Sequence, residues 1–165
     1  MDVVLQHILV RVDNCLADLQ LITIWHWLPE RMTTIDPTLV YSSEEHGISL
    51  STFYTKSELY EPTILVVKTR TNEIFGAYCS TSWAERNAKD ERGQRQAYFG
   101  TGETFLFKLS GRDGDEGSVK YPWVNLKKTA NGGEDSGGEK LSKAEEHAKE
   151  LFMCGQFDMV AIGGG

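Results

Sequence analysis

From residue 2 to residue 20, Leu5, Ile8, Leu9, Val12, Leu16 and Leu19 recur three and four positions apart, while Gln6, Arg11, Asp13, Asn14 and Asp18 lie off that stripe. The period predicts an N-terminal amphipathic helix or linker over residues 1–20. Its polar face is not basic, so packing against protein is expected rather than residence on a membrane surface. The next eight residues, LITIWHWL, are apolar on every side. They predict a helix end buried in the core and closed by Pro29.

Beyond this point the period shortens. Residues 39–42 predict a strand and SEEHG at 43–47 a turn. Ser49 is placed to cap a short helix that points Leu50, Phe53 and Tyr54 inward and is stopped by Pro62. TILVVKT at 63–69 is β-branched and almost wholly apolar, which predicts a strand buried on both faces. After a turn at 70–73, IFGAYCS at 74–80 returns as its hairpin partner, where Gly76 marks a bulge or a close backbone approach. Residues 84–97 are charged and aperiodic and predict a mobile loop. Phe105, Phe107 and Leu109 then alternate with Thr104, Leu106 and Lys108, as in a strand. A loop at 110–118 leads to an edge strand at 119–125 containing Pro122. Residues 126–148 have the Gly, Lys, Glu and Ser content of a disordered insert with a helical end. Short strands at 151–154 and 157–162 flank Gly155, and Gly163, Gly164 and Gly165 follow. Helices first and short strands afterwards predict an antiparallel α+β or sandwich-like domain.

Composition narrows the function. The chain has 165 residues and a net charge of −7. It is long enough for one domain with a real core, and its acidity argues against nucleic acid, whose phosphates need clustered Lys and Arg. No apolar run is long enough to span a bilayer, and no secretory signal is visible. Cys15, Cys79 and Cys154 are far apart and odd in number. They predict reduced thiols, two of them packed in strands, rather than disulfides or a zinc site.

Few residues carry candidate chemistry. Gly100-Thr101-Gly102 could open a phosphate loop, but a strand follows where a helix N-terminus is needed. Glu103 stands at the mouth of that strand. It is either a general acid or base, or a strand-end carboxylate that bonds a turn or pairs with an arginine. The acidic stretch 113–117 lacks calcium-loop spacing. His7, His26, His46 and His147 are scattered, and no metal or cofactor is expected. No G-x-S-x-G is present.

Six segments in order, LPERM at 28–32, LVYSSEEHGISLSTFY at 39–54, PTILVVKT at 62–69, IFGAYCSTSW at 74–83, YFGTGETFLF at 98–107 and FDMVAIGGG at 157–165, resemble a TLDc domain over residues 21–165. TIWHWLPERM, STSWAERN and LFMCG are most similar to the Skywalker-type TBC–TLDc proteins, in which a Rab-GAP-like TBC domain comes first. The resemblance implies a two-sheet antiparallel sandwich flanked by helices. It also implies roles in vesicle membrane traffic, synaptic vesicles and oxidation resistance, with the vacuolar proton-pumping ATPase bound by some members. It implies no catalytic reaction for the TLDc domain, a cytoplasmic setting, and peripheral contact with vesicle membranes through a longer protein. Gly100, Gly102 and Glu103 fall on the family's G-x-G-E motif, and Gly163, Gly164 and Gly165 on its glycine-rich turn. They are motif positions of functional interest rather than catalysts. The TBC arginine and glutamine fingers have no counterpart here, so GAP activity is not expected of this chain. Family members continue past the triple glycine with further strands and a D-x-x-L-x-x-G and E-x-W ending. A C-terminally truncated sandwich with exposed strand edges and apolar faces is therefore expected. The contrasting expectations are an oxidative-defence enzyme using Glu103, or a truncated chain without autonomous function.

Overall fold

The computed structural model describes residues 7–11, 16, 18–34, 36–110, 117–123 and 152–163. The expected insert at 126–148, Cys15, Gly164 and Gly165 lie outside the described residues. A six-stranded sheet runs in the order β2 (Pro37–Tyr41), β1 (His7–Arg11), β3 (Thr63–Lys68), β4 (Ile74–Cys79), β5 (Phe105–Leu109), β6 (Val119–Pro122). The last four strands are antiparallel. A second, antiparallel sheet is the hairpin of β7 (Met153–Gly155) and β8 (Val160–Ile162). With helices α1 (Asp18–Trp27), α2 (Ser43–His46) and α3 (Leu50–Ser57) the fold is α+β, as expected.

The N-terminal helix is corrected. His7–Arg11 form a strand, parallel to both β2 and β3. The run Ile8-Leu9-Val10 satisfies a helical stripe and a continuous apolar strand equally, and short apolar runs do not separate the two. Insertion between two strands gives its backbone ladder partners on both sides, and that tertiary gain decides the matter. The helix begins only at Asp18. It is also not buried all round: Ile24 is inaccessible, whereas Leu19 and Ile22 are about half exposed. SEEH, expected as a turn, is the single-turn helix α2, capped by Ser42 Oγ accepting from Glu44 N–H at 3.2 Å.

Strand alternation sorts the core into two layers. Ile64 and Val66 of β3, Ile74 and Tyr78 of β4, and Phe105, Phe107 and Leu109 of β5 meet Ile24, Leu28 and Met32 on one face. On the other face, Ala77 and Cys79 of β4 meet Phe53 and Tyr54 of α3, Met153 of β7 and Trp83. Trp83 is inaccessible, and its indole N–H donates to Thr63 Oγ1 at 3.0 Å, so its one polar atom is satisfied. Ser49 Oγ caps α3 by accepting from Thr52 N–H at 3.4 Å. The charged stretch after Trp83 is more organised than a mobile loop. Asp90 Oδ1 accepts from the N–H groups of Arg92 and Gln94 at 2.9 and 2.8 Å, and Gly93 supplies the positive φ of 76° that this tight turn requires.

Gly76 makes the close approach that its place in β4 predicts. A Cβ there would lie 2.1 Å from the Leu65 carbonyl oxygen and 2.5 Å from Phe107 Cζ. The Phe107 ring fills the space a side chain would occupy. The outer edge of β8 pairs with no strand among the described residues. A groove of about 660 Å³ opens beside it, lined by Ile48, Leu50, Phe53, Leu65, Val67 and Val160 among others.

Gly76→Ala is expected to destabilise the protein by about 3 kcal/mol, because the clash is with backbone. Gly93→Ala, with nothing within 4 Å of the new methyl group, costs about 1 kcal/mol through its positive φ. Urea unfolding at unchanged slope measures both. Burial raises the Cys79 thiol and the Tyr54 and Tyr78 phenols to about 12. In the unfolded chain these groups lose protons from about pH 9 upwards, while the fold retains them. The unfolded state then binds fewer protons, so stability is complete below about pH 9 and falls as pH rises toward 12. The urea midpoint should drop between about pH 9 and pH 12, less steeply in Cys79→Ala, and an unchanged midpoint refutes this.

Candidate functional site

The G-x-G-E motif occupies the turn that feeds β5, and its members face two ways. Gly100, at φ 107°, lies against Met153: a Cβ there would come 3.4 Å from that side chain. Beside it, Phe99 N–H donates to Met153 O at 2.8 Å and Met153 N–H to Phe99 O at 2.7 Å. This is where the second sheet joins the first. Gly163, at φ 88°, closes the same junction: its N–H donates to Phe152 O at 2.9 Å, and a Cβ would come 2.9 Å from Leu106 Cδ1. Gly100 and Gly163 are therefore brought together as packing points between sheets.

Gly102 and Glu103 face the opposite way. A Cβ on Gly102 would press on the Trp123 indole at 3.3 Å. The Glu103 carboxylate accepts a hydrogen bond from the Arg31 guanidinium, so LPERM and G-x-G-E, 72 residues apart, meet in one ion pair. Both side chains are about half exposed. The hydrogen bond it donates to Glu103 raises the Arg31 guanidinium above its ordinary value. Of the two expectations for Glu103, the strand-end carboxylate paired with an arginine is the arrangement observed.

Hydroxyl groups gather behind the pair. Ser80 Oγ shares hydrogen bonds with Thr101 Oγ1 at 2.8 Å and Thr104 Oγ1 at 2.9 Å. These hydroxyls bond each other and backbone groups, and no histidine or carboxylate is hydrogen-bonded to them among the described residues. The Tyr78 hydroxyl is buried with no hydrogen-bond partner among the described residues, within electrostatic reach of Arg31 and Glu103.

Beside Glu103 lies a groove of about 290 Å³ between the end of α1 and strands β5 and β6. Trp27, Leu28, Pro29, Phe105, Pro122 and Trp123 supply its apolar walls, and Glu103 and Lys120 its charges. Lys120 Nζ donates to Trp27 O at 2.8 Å and lies 4.2 Å from the centre of the Phe105 ring. Sequence reasoning gave no role to Arg31, Trp27, Lys120 or Trp123. LPERM was visible as a motif, but nothing in one sequence pairs its arginine with a glutamate so distant. Among the described residues no three His, Cys, Asp or Glu side chains gather as a metal site, and no helix is long and apolar enough to cross a membrane.

The TLDc domain profile matches residues 11–137. The chain is 52% identical over 145 residues to the "GTPase-activating protein skywalker" of Drosophila melanogaster, covering 88% of this chain and 22% of that protein. It is 32% identical over 189 residues to "TBC1 domain family member 24" of Xenopus tropicalis, covering 96% of this chain and 32% of that protein. Against "Oxidation resistance protein 1" of the same frog it is 41% identical over 81 residues, covering 48% of this chain and 8% of that protein. The chain thus spans a third or less of the length of these curated relatives.

An exposed pair of this kind contributes little to stability and is screened by salt. Arg31→Ala and Glu103→Gln should each lower the melting temperature slightly at low ionic strength, and the double variant no further than either alone. The difference should fade at about 1 M salt. Additive losses that persist in salt, measured by circular dichroism, would show that the two side chains act independently.

Proposed function

The chain belongs to the TLDc domain family, and from that premise we propose that it is a non-catalytic interaction module of a TBC–TLDc protein acting in vesicle membrane traffic and in resistance to oxidation. The observation that carries this reading is the engagement of Glu103. The one acid of the motif is held by Arg31, and the hydroxyls nearby are bonded to each other without a base. Such a surface suits recognition better than proton transfer. The relatives' names, a GTPase-activating protein and an oxidation resistance protein, supply the setting. Activation of a Rab GTPase would fall to a TBC domain outside these residues. The partners are proteins, with the vacuolar proton-pumping ATPase first and vesicle-traffic components second. The module acts in the cytoplasm without a cofactor and without binding nucleic acid, and it reaches vesicle membranes peripherally through the longer protein.

The test titrates the purified chain against the purified proton pump and against protein-free vesicles of the same lipids. Saturable binding to the pump and none to bare vesicles is expected. Absence of pump binding counts against this partner. Peroxide consumption is expected to be nil for both the parent chain and Glu103→Gln. Consumption that falls in Glu103→Gln would overturn the non-catalytic reading.

A further inference from the structure

The groove beside Glu103 contains an electrostatic imbalance. Two charged side chains contribute to its walls. Glu103 has its counter-charge in Arg31. Lys120 has none: among the described residues its ammonium makes one hydrogen bond, to a neutral carbonyl, and otherwise rests on an aromatic face. Burial lowers its pKa, with no carboxylate among the described residues opposing the shift. An ammonium carries three N–H donors, and a partly desolvated one left with a single acceptor is complementary to an anion. Around it stand Trp27, Phe105 and Trp123, rigid aromatic surfaces of the kind that anchor interfaces. The volume, about 290 Å³, lies at the small end for ligand sites and matches one or two side chains rather than a large cofactor.

We propose that this groove binds an acidic–aromatic segment of a partner protein, with the segment's carboxylate on Lys120 Nζ and its neighbouring aromatic ring between Trp27 and Trp123. This rests on the interaction-module reading and names the chemistry of the partner that the module recognises. Gly102 has a definite place in it. With Trp123 already 3.3 Å from the position of a Cβ, any side chain at residue 102 would push the indole that forms one wall.

The probe is the blocked dipeptide N-acetyl-glutamyl-phenylalanine amide, with its glutaminyl counterpart as the uncharged control. The ¹⁵N-labelled full chain is titrated while the indole N–H signals of Trp27 and Trp123 are followed. The glutamyl peptide should shift both signals and bind about tenfold more tightly than the glutaminyl peptide, the usual scale for a charge-assisted hydrogen bond. Lys120→Gln should remove that preference and Lys120→Arg should restore most of it. Trp123→Ala, which leaves the ammonium in place, should weaken both peptides alike. Equal affinity for the two peptides in the parent chain, or shifts confined to other residues, would overturn the proposal. So would free phenylacetate binding as tightly as the glutamyl peptide, which would make the ligand a small carboxylate. Pump binding in Lys120→Gln separates this proposal from the reading beneath it. Unchanged pump binding in Lys120→Gln together with no charge preference in the parent chain overturns the groove alone, whereas failure of the parent chain to bind the pump counts against that partner, and peroxide consumption that falls in Glu103→Gln removes the module reading itself.

Discussion

Strands β3, β4 and β5 carry apolar side chains on both faces, and the rest of the described fold covers one face or the other. A sheet of that kind is unstable with either face in water. Helix α1 covers the face bearing Val66, Tyr78 and Phe107, while α3, Trp83 and the β7–β8 hairpin cover the face bearing Ala77 and Cys79. The two covers differ in kind. The first is a helix whose Ile24 reaches the sheet, with Leu28 just after its end. The second is assembled from separate pieces, joined by edge-on contacts of Trp83 with Phe53 and Phe99 at ring-centre distances of 5.3 and 5.9 Å. Such aromatic contacts add about 0.5–1.5 kcal/mol beyond area burial, which is useful where no single element covers the whole face.

Assembling a cover from pieces demands close backbone approach, and this gives the motif glycines their physical meaning. Gly100 and Gly163 lie where the hairpin meets the large sheet, each with positive φ and each against a core side chain, Met153 and Leu106 respectively. A larger residue would meet a conformational penalty at both positions and, at Gly163, a steric one as well. Gly102 is different: its neighbour is the exposed indole of Trp123, so its constraint belongs to the surface groove. One short motif thus contains a glycine that serves the packing of two sheets and another that shapes the surface groove.

Much of this was legible in the sequence because the signals were local. The β3–β4 hairpin, the alternation of β5, the edge position imposed by Pro122, the Ser49 cap and the hairpin around Gly155 each depend on a few adjacent residues. The β1 strand was not legible, because Ile8-Leu9-Val10 fits two periods and only its parallel neighbours, in register with Thr38 and Leu65 for example, select the strand. The site divided along the same line. Glu103 stood out as an acid at a strand mouth. Its partner Arg31 and the ammonium of Lys120 reach the same region only through the tertiary fold, and no spacing rule connects residues 31, 103 and 120.

The placement of charge separates stability from recognition. Arg31 and Glu103 are about half exposed and water-screened, so the fold does not depend on them, and they remain free to exchange one another for an incoming group at little cost. Lys120 is the opposite case. Its ammonium is partly withdrawn from water and incompletely compensated by a carbonyl and a π-face, an arrangement that weakens the free protein slightly and is relieved when an anion arrives. An interior built only for stability would place a neutral side chain on β6 at that point. Beside two accessible indoles, an under-compensated cation makes the groove selective, since an apolar segment without negative charge leaves the imbalance in place and a basic one worsens it.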